Sequence, residues 1–438
     1  MKRPAYAHRL LLVLMAGGWL IATPAAGQTA SPATPTPAAS PVAQHAGHPV
    51  LLISIDGLAP DTLFATNEEE QAPDIPVLRQ LLAQGSAARR VINVNPTVTN
   101  PNHTTLVTGL SPRDHGIFNN RPFAPTAKLP AGYLSFTQIT APTLWGAAHA
   151  AGLRTGSVFW PVTQGAGPID HNLITGNSND DRQITRDTIA LIKSHKPDLL
   201  TAHFVSYDTA QHEFGPGSAE GRAAIETIDG AIGQIITAQR QAHPDSVIAV
   251  VSDHGFFAVT HQVHLNTAFV KSGLITLSQD ADPVVTDWRA FAWYVGGMAM
   301  VVLRDQQDAQ LRQQVAEFLQ QLSDNPEAGI ERIHDADALA GLGLAPEADF
   351  VSALKPGYRM GNAMTGRLSE TRSGGAHGAF SNTSLRPDMH SAFLISGPGI
   401  PAGKDLGTID MRRIAPTLAQ EMGLPFPSAS LPPLPLRD

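Results

Sequence analysis

Short, continuous apolar runs alternate with amphipathic stretches along most of the chain. Residues 49–55 (PVLLISI), 155–160, 199–205, 247–251, 298–303 and 392–396 are apolar runs of strand length, each bounded by polar or turn residues. Residues 75–84, 143–151, 184–195, 309–322 and 411–422 read as helices. The clearest helix spans 222–241, where Ile225, Ile228, Ile232, Ile235 and Ile236 recur at the spacing that lines one helical face. This alternation predicts an α/β fold with a mostly parallel central sheet and helices on both faces. From 256 to 373 the pattern loosens. That stretch is read as an inserted cap between a first core segment at 48–255 and a second at 374–424. Its aromatic group, Trp288, Phe291, Trp293 and Tyr294, suits either core packing or stacking on a substrate. Residues 425–438 are Pro-rich and are expected to form a loose tail.

Three predicted strands are each followed by side chains with ligand chemistry. Asp56 comes directly after 49–55. Asp208 and His212 follow 199–205 and share a face if that segment is helical. Asp253 and His254 follow 247–251. Ligand sites in open α/β sheets lie at the carboxyl ends of strands, so the repetition says more than any single turn-forming Asp. His377, where the core pattern resumes, adds an imidazole.

The stretch 95–109, NPTVTNPNHTTLVTG, sets Thr99 beside a helix start, with Pro101 suited to the first turn. Free N–H groups and the positive dipole end there favour an anion. Thr and Asn are also ordinary capping residues, so the stretch gains meaning only from the ligands around it. Carboxylates and imidazoles without thiolates suit zinc, with manganese or iron as other choices. Six such ligands exceed what one tetrahedral ion needs, which points to two ions. Two cations would stabilise the attacking and leaving oxygens of a phosphoryl displacement and lower the pKa of a bound hydroxyl.

Composition narrows the class. A chain of 438 residues, 42% hydrophobic, is ample for a large core. Its net charge of −8 comes without a basic run, which argues against sequence-specific nucleic-acid binding. Lys2, Arg3 and Arg9, an apolar run at 10–22 and the small residues Ala25, Ala26 and Gly27 predict a signal peptide at 1–27. An uncleaved anchor is the alternative; after cleavage no stable membrane insertion is expected. Residues 28–47 are rich in Pro, Ala, Thr and Ser and read as a disordered tether. Export without any Cys suits a bacterial periplasm or exterior. No segment points to a protein partner.

Seven pieces of sequence occur in a recognisable order: SIDG with Asp56, TVTNPNHTTLVTG with Thr99, HGIFNN with Asn120, FWP at 159–161, YDTAQHEFGP with Asp208 and His212, SDHG with Asp253 and His254, and GGAHGAF with His377. In order and spacing they resemble the alkaline phosphatase superfamily, most closely its nucleotide pyrophosphatase/phosphodiesterase branch. The resemblance runs from about 50 to 424 and is interrupted in the cap. It implies one zinc held by Asp208, His212 and His377, and a second held by Asp56, Asp253, His254 and the Thr99 oxygen. It also implies that Asn120 and the backbone N–H of Asn100 bind a nonbridging phosphate oxygen. Thr99 would attack a small-molecule phosphate ester to give a phosphothreonine, hydrolysed with net retention at phosphorus.

Two departures bear on substrate. Asn100 stands where nucleotide-cleaving relatives commonly carry an aromatic residue, and the Thr-Asn-Pro-Asn string is also similar to phosphonoacetate hydrolases. Monoesterase relatives place Arg or a Lys/Arg pair at the site, whereas 155–181 has neither; with Trp160-Pro161, that favours a diester. The sulfatase branch needs a nucleophile motif that this chain lacks. A phosphonate or phosphomonoester hydrolase remains the alternative, favoured if the cap brings in a cation. A non-catalytic metal-binding protein is the distant one, since every ligand position is filled. His103 and His115 are read as structural, and His261 and His264 as candidates to touch substrate at the cap entrance.

Overall fold

A computed structural model describes residues 47–437 apart from 67–71, 129–130, 175–179, 336–337, 340 and 382–385. The expected leader at 1–27, and all but the last residue of the expected tether at 28–47, lie outside the described residues.

The core is a nine-stranded sheet. Its first six strands in the chain are β1 (Val50–Ile55), β2 (Ser86–Ile92), β3 (Thr155–Val158), β4 (His171–Leu173), β5 (Leu199–Phe204) and β6 (Val247–Val251). Across the sheet the order is Lys404–Asp405, β2, Ser391–Ser396, β6, β1, β5, β3, β4, with Thr408–Asp410 also paired to β2. The run from β6 to β4 is parallel. Ser391–Ser396 enters antiparallel between β6 and β2.

β1 explains the sandwich. All six of its residues are buried. Val50 and Leu52 join one core with Leu106, Trp145, Ile414 and Leu418, while Leu51, Ile53 and Ile55 join another with Leu78, Ile192, Ile225 and Ile232. A parallel strand covered by helices on both faces needs this continuous apolar run. Burying each such side chain stabilises the fold by roughly 1.5–3 kcal/mol. The helices start where local chemistry allows. Asp180 accepts from the N–H groups of Arg182 and Gln183, and Ser218 accepts from Gly221. Helix Pro76–Gln84 has no side-chain cap of its own. Asp229, on the buried face of helix Ala219–Ala242, supplies one, accepting from Val77 at 3.1 Å and Leu78 at 2.8 Å.

Some elements depart from the expected pattern. β2 has no continuous apolar run, because Arg89 and Arg90 are exposed while Ala87, Ala88 and Val91 are buried. The strand expected at 155–160 stops at Val158, since Phe159 and Val162 take a positive φ of 58°. The polar loop at 111–120 contains the short helix Pro112–His115. The C-terminal tail is not loose: Leu434 and Leu436 are buried in the core that holds Trp145. Its prolines suggest disorder, yet their carbonyls serve as acceptors for Arg413 and Lys404.

Region 256–373 contains an antiparallel sheet in the order Ala290–Tyr294, Met298–Leu303, Phe350–Leu354, Ile330–Asp335, and helix Ala309–Asp324. Trp293 and Phe291 are largely buried and pack, with Trp288, around Phe123 at centroid distances of 5.4–5.9 Å. Among the described residues no helix is long and apolar enough to cross a membrane.

Candidate active site

Because β6, β1 and β5 are adjacent and parallel, their carboxyl ends deliver Asp253 and His254, Asp56, and Asp208 side by side. Asp208 falls in the first turn of helix Ser206–Phe214 and His212 one turn later. They meet across that turn, with His212 Nε2 3.6 Å from Asp208 Oδ1. His377 comes from the return of the chain to the core, and its Nε2 lies 3.2 Å from His212 Nε2 and 3.8 Å from Asp208 Oδ1. His254 Nε2 lies 3.1 Å from Asp253 Oδ2 and 3.4 Å from Asp56 Oδ1. Ligand atoms of Asp56, Asp253 and His254 fall within 4.8 Å of one another, as do those of Asp208, His254 and His377. All six predicted carboxylate and imidazole ligands are therefore in one cluster, with His254 between its halves.

The protonation pattern of the cluster fits cations. His212, His254 and His377 each donate Nδ1–H to a backbone carbonyl, of Gly375 (3.1 Å), Gly255 (3.2 Å) and Thr97 (3.0 Å). This fixes the tautomer and turns the Nε2 lone pairs inward, the usual support for a metal-bound imidazole. Asp56 uses Oδ2 to accept from His203 at 3.0 Å, and Asp253 uses Oδ1 to accept from the N–H of Gly57 at 3.1 Å. Their other oxygens, Asp208 Oδ1 and His254 Nε2 are buried without hydrogen-bond partners. Polar atoms so placed cost about 1–3 kcal/mol each unless something satisfies them. Burial holds Asp56 and Asp253 well above the usual carboxylate range, each raised further by its acidic neighbour, and it also raises Asp208. Burial likewise holds His254 and His377 well below the usual imidazole range, so both are neutral. Buried acceptors and lone pairs crowded at one point suit divalent cations, which would take the place of protons on these carboxyls.

Thr99 is the first residue of helix Thr99–Thr108, after the extended Val98. It borders the same cavity as Asp56 and Asp208. His103, one turn on, donates Nδ1–H to Thr99 O at 2.9 Å and accepts from Ser54 at 2.8 Å, so it buttresses the turn from β1. Asn120 is anchored by the N–H of Asn100, which donates to its Oδ1 at 2.8 Å. Asn100, whose N–H is expected to meet a phosphate oxygen, thus lies beside that amide. Its N–H positions Asn120, and its side-chain amide donates to the carbonyls of Asn120 and Tyr133. An aromatic residue at this position would keep the backbone bond to Asn120 Oδ1 but lose the two side-chain ties to the loop carrying Asn120 and Tyr133.

Two cavities open on the cluster. One, of about 540 Å³, is bounded by Asp56, Thr99, Asn100 and Asp208 and walled by Tyr133, Phe159, Trp160 and Ile174. The other, of about 290 Å³, lies on the side of His212 and His377 and is walled by Trp293, Tyr294 and Arg359. Asn120 and Arg121 border both. His261 and His264 border neither: His261 stacks on Tyr358, and His264 donates to Glu370. His203 was not anticipated; its signal in the sequence is an imidazole inside the largely apolar strand LLTAHF.

A central parallel-rich sheet with carboxylates at neighbouring strand tips and a hydroxyl at a helix start defines an alkaline phosphatase-like fold. The profile of the family "Type I phosphodiesterase / nucleotide pyrophosphatase" matches residues 50–379, and the chain belongs to that family. Human ectonucleotide pyrophosphatase/phosphodiesterase family member 1 is 27% identical over 220 residues, 47% of this chain and 23% of that protein. Venom phosphodiesterase of Macrovipera lebetinus is 30% identical over 221 residues, 47% of this chain and 25% of that protein. The matched part thus spans about a quarter of the length of these two relatives. Rat family member 7 aligns more fully, at 25% identity over 401 residues, 88% of this chain and 85% of the relative. Murine ectonucleotide pyrophosphatase/phosphodiesterase 5, an inactive variant in complex with AMP, superposes with a TM-score of 0.67 at 19% identity, covering 88% of this chain and 96% of that one. The human protein 5 gives 0.66 at 20% identity, covering 86% and 95%.

Proposed function

We propose that the chain is a phosphodiesterase or nucleotide pyrophosphatase that uses two zinc ions and Thr99, exported to a bacterial periplasm or cell exterior. The observation that carries this reading is the cluster of inward Nε2 lone pairs and orphaned carboxylate oxygens beside Thr99. Asp208, His212 and His377 would hold one ion; Asp56, Asp253, His254 and the Thr99 oxygen would hold the other. Zinc would supply Lewis-acid stabilisation of charge on oxygen and ease deprotonation of the Thr99 hydroxyl.

The residues then have distinct tasks. Thr99 attacks phosphorus, the bond to one substituent breaks, and a phosphothreonine forms. Asn120, held by the Asn100 N–H through Oδ1, turns Nδ2 toward a nonbridging oxygen and stabilises charge that develops there. Water hydrolyses the phosphothreonine, so two inversions give net retention. His203 and Gly57 fix the inward oxygens of Asp56 and Asp253. Region 256–373 acts as the cap that shapes access.

A phosphonate or phosphomonoester hydrolase is the second reading, supported by the cation Arg359 in the cleft. Cavities on both sides of the cluster favour the diester, whose phosphorus carries two substituents. The test compares kcat/KM for bis-p-nitrophenyl phosphate, p-nitrophenyl phosphate and phosphonoacetate, with and without chelator. Diester preference abolished by chelation is expected. Preference for the monoester or phosphonate would move the function to the second reading.

A further inference from the structure

Arg359 sits in strand Tyr358–Met360, in register with Gln262 of the neighbouring strand, whose other partner is Glu370. That arrangement brings an acid near, yet Glu370 is engaged elsewhere, accepting from Gln262 at 3.1 Å and from His264 at 3.3 Å. Among the described residues Arg359 has no ion pair or hydrogen bond, and its Nε is buried without a partner. Burial, and then the like charge of Arg372, push its pKa down, which is the signature of a charge without compensation. A guanidinium held this way is costly unless a ligand meets it.

Its position says which ligand. Arg359 walls the smaller cavity together with Trp293, Tyr294, His212, His377 and Asn120. Two further cationic side chains line that wall from the 119–128 loop: Lys128, which is paired with Asp282, and Arg121, which borders both cavities and so does not distinguish them. The larger cavity opposite has apolar and aromatic walls at Tyr133, Leu134, Phe159, Trp160, Val162 and Ile174 beyond the polar residues of the cluster. We infer that Arg359 makes the smaller cavity a subsite for an anionic group on one of the two substituents of the reacting phosphorus, and so selects substrates whose second substituent is itself charged, such as a phosphoanhydride chain. The guanidinium matches phosphate or carboxylate oxygens in a bidentate fork, and the aromatic rings exclude water around the pair. This rests on the phosphodiesterase reading above and deepens it.

The test uses the zinc-loaded full chain, Arg359→Gln and Arg359→Lys. Turnover is measured on two substrates with the same nucleoside, p-nitrophenyl 5′-AMP with an uncharged leaving substituent and ATP with a charged one. Equilibrium binding of AMP and of α,β-methylene ATP is measured alongside. Arg359→Gln is expected to lower kcat/KM for ATP by about 10–100-fold, the effect of losing a hydrogen-bonded charge, and to change the p-nitrophenyl ester by less than about threefold. It should weaken α,β-methylene ATP and spare AMP, with partial rescue in Arg359→Lys. Equal effects on both ligands, or on neither, would overturn the subsite. If the wild-type chain turned over neither substrate, the phosphodiesterase reading would fail, while the two binding constants would still decide the subsite.

Discussion

The docking of the C-terminal tail makes a stability prediction that can be worked from the structure. Arg437 donates to both oxygens of Glu421, at 2.8 and 2.6 Å. The Glu421 side chain is 2% exposed and that of Arg437 44% exposed. Arg437→Ala therefore strands a buried carboxylate. Breaking a buried pair from one side costs about 3–5 kcal/mol, and partial solvent access at the Arg end sets the expectation near 3. Adding Glu421→Gln removes the stranded charge, so the double variant should recover about half of the loss. Truncation after Pro433 also removes Leu434 and Leu436, each worth roughly 1.5–3 kcal/mol of burial, so its total approaches the whole stability of an ordinary domain. The assay is urea unfolding with zinc in constant excess, with diesterase activity followed in parallel. The tail also accepts a structural duty near the site, because Ser430 donates to the carbonyl of Gly109, where the Thr99 helix ends. Stability should fall while kcat of the folded fraction holds. An unchanged midpoint in the truncated chain would refute the reasoning and return the tail to a loose segment.

Other perturbations have equally definite outcomes. Thr99→Ala should keep zinc and fold, as read by metal content and circular dichroism, while turnover falls by at least about a thousandfold, the scale expected for losing a nucleophile. His377→Ala should lower zinc stoichiometry, and full occupancy with an unchanged rate would remove its role as a ligand. Asp229→Ala should cost about 1–3 kcal/mol, since the N–H groups of Val77 and Leu78 lose a charged acceptor, and should leave kcat alone. Burial pushes His115 down to about 3, and its Nδ1 accepts from Ile117 N–H, so the fold holds the neutral ring. In the unfolded chain the ring binds a proton below about pH 6.5, so its contribution is intact above that value and is lost as pH falls toward 3. Between pH 8 and 5 this amounts to about 2 kcal/mol, which His115→Gln should remove from the pH dependence of unfolding.

The sequence exposed the parts that rest on local pattern. A buried parallel strand is a continuous apolar run, so β1, β5 and β6 stand out, and their tips carry the acids. The candidate ligands were legible because strand adjacency turns three separate turns into one cluster. What stayed hidden depends on contacts distant in the chain. β2 is held by Ser391–Ser396, about 300 residues away, so its two arginines mask it. His203 and Ser54 look like incidental polar residues in strands until the fold sets them against Asp56 and His103. The resemblance points the Asn100 N–H at a phosphate oxygen, and only the folded loop reveals that Asn120 and Tyr133 accept from its donors. Arg359 lies outside every motif, and its approach to His377 is set by strand pairing in the inserted region.

The most direct test of the account is the metal content of active protein, measured by elemental mass spectrometry against a chelated sample assayed on the same diester. Two ions per chain, with activity lost on chelation and restored by zinc, are predicted by the two halves of the cluster that meet at His254. A metal-free preparation with full activity would contradict the account, because the orphaned oxygens and inward imidazoles beside Thr99 would then need another explanation.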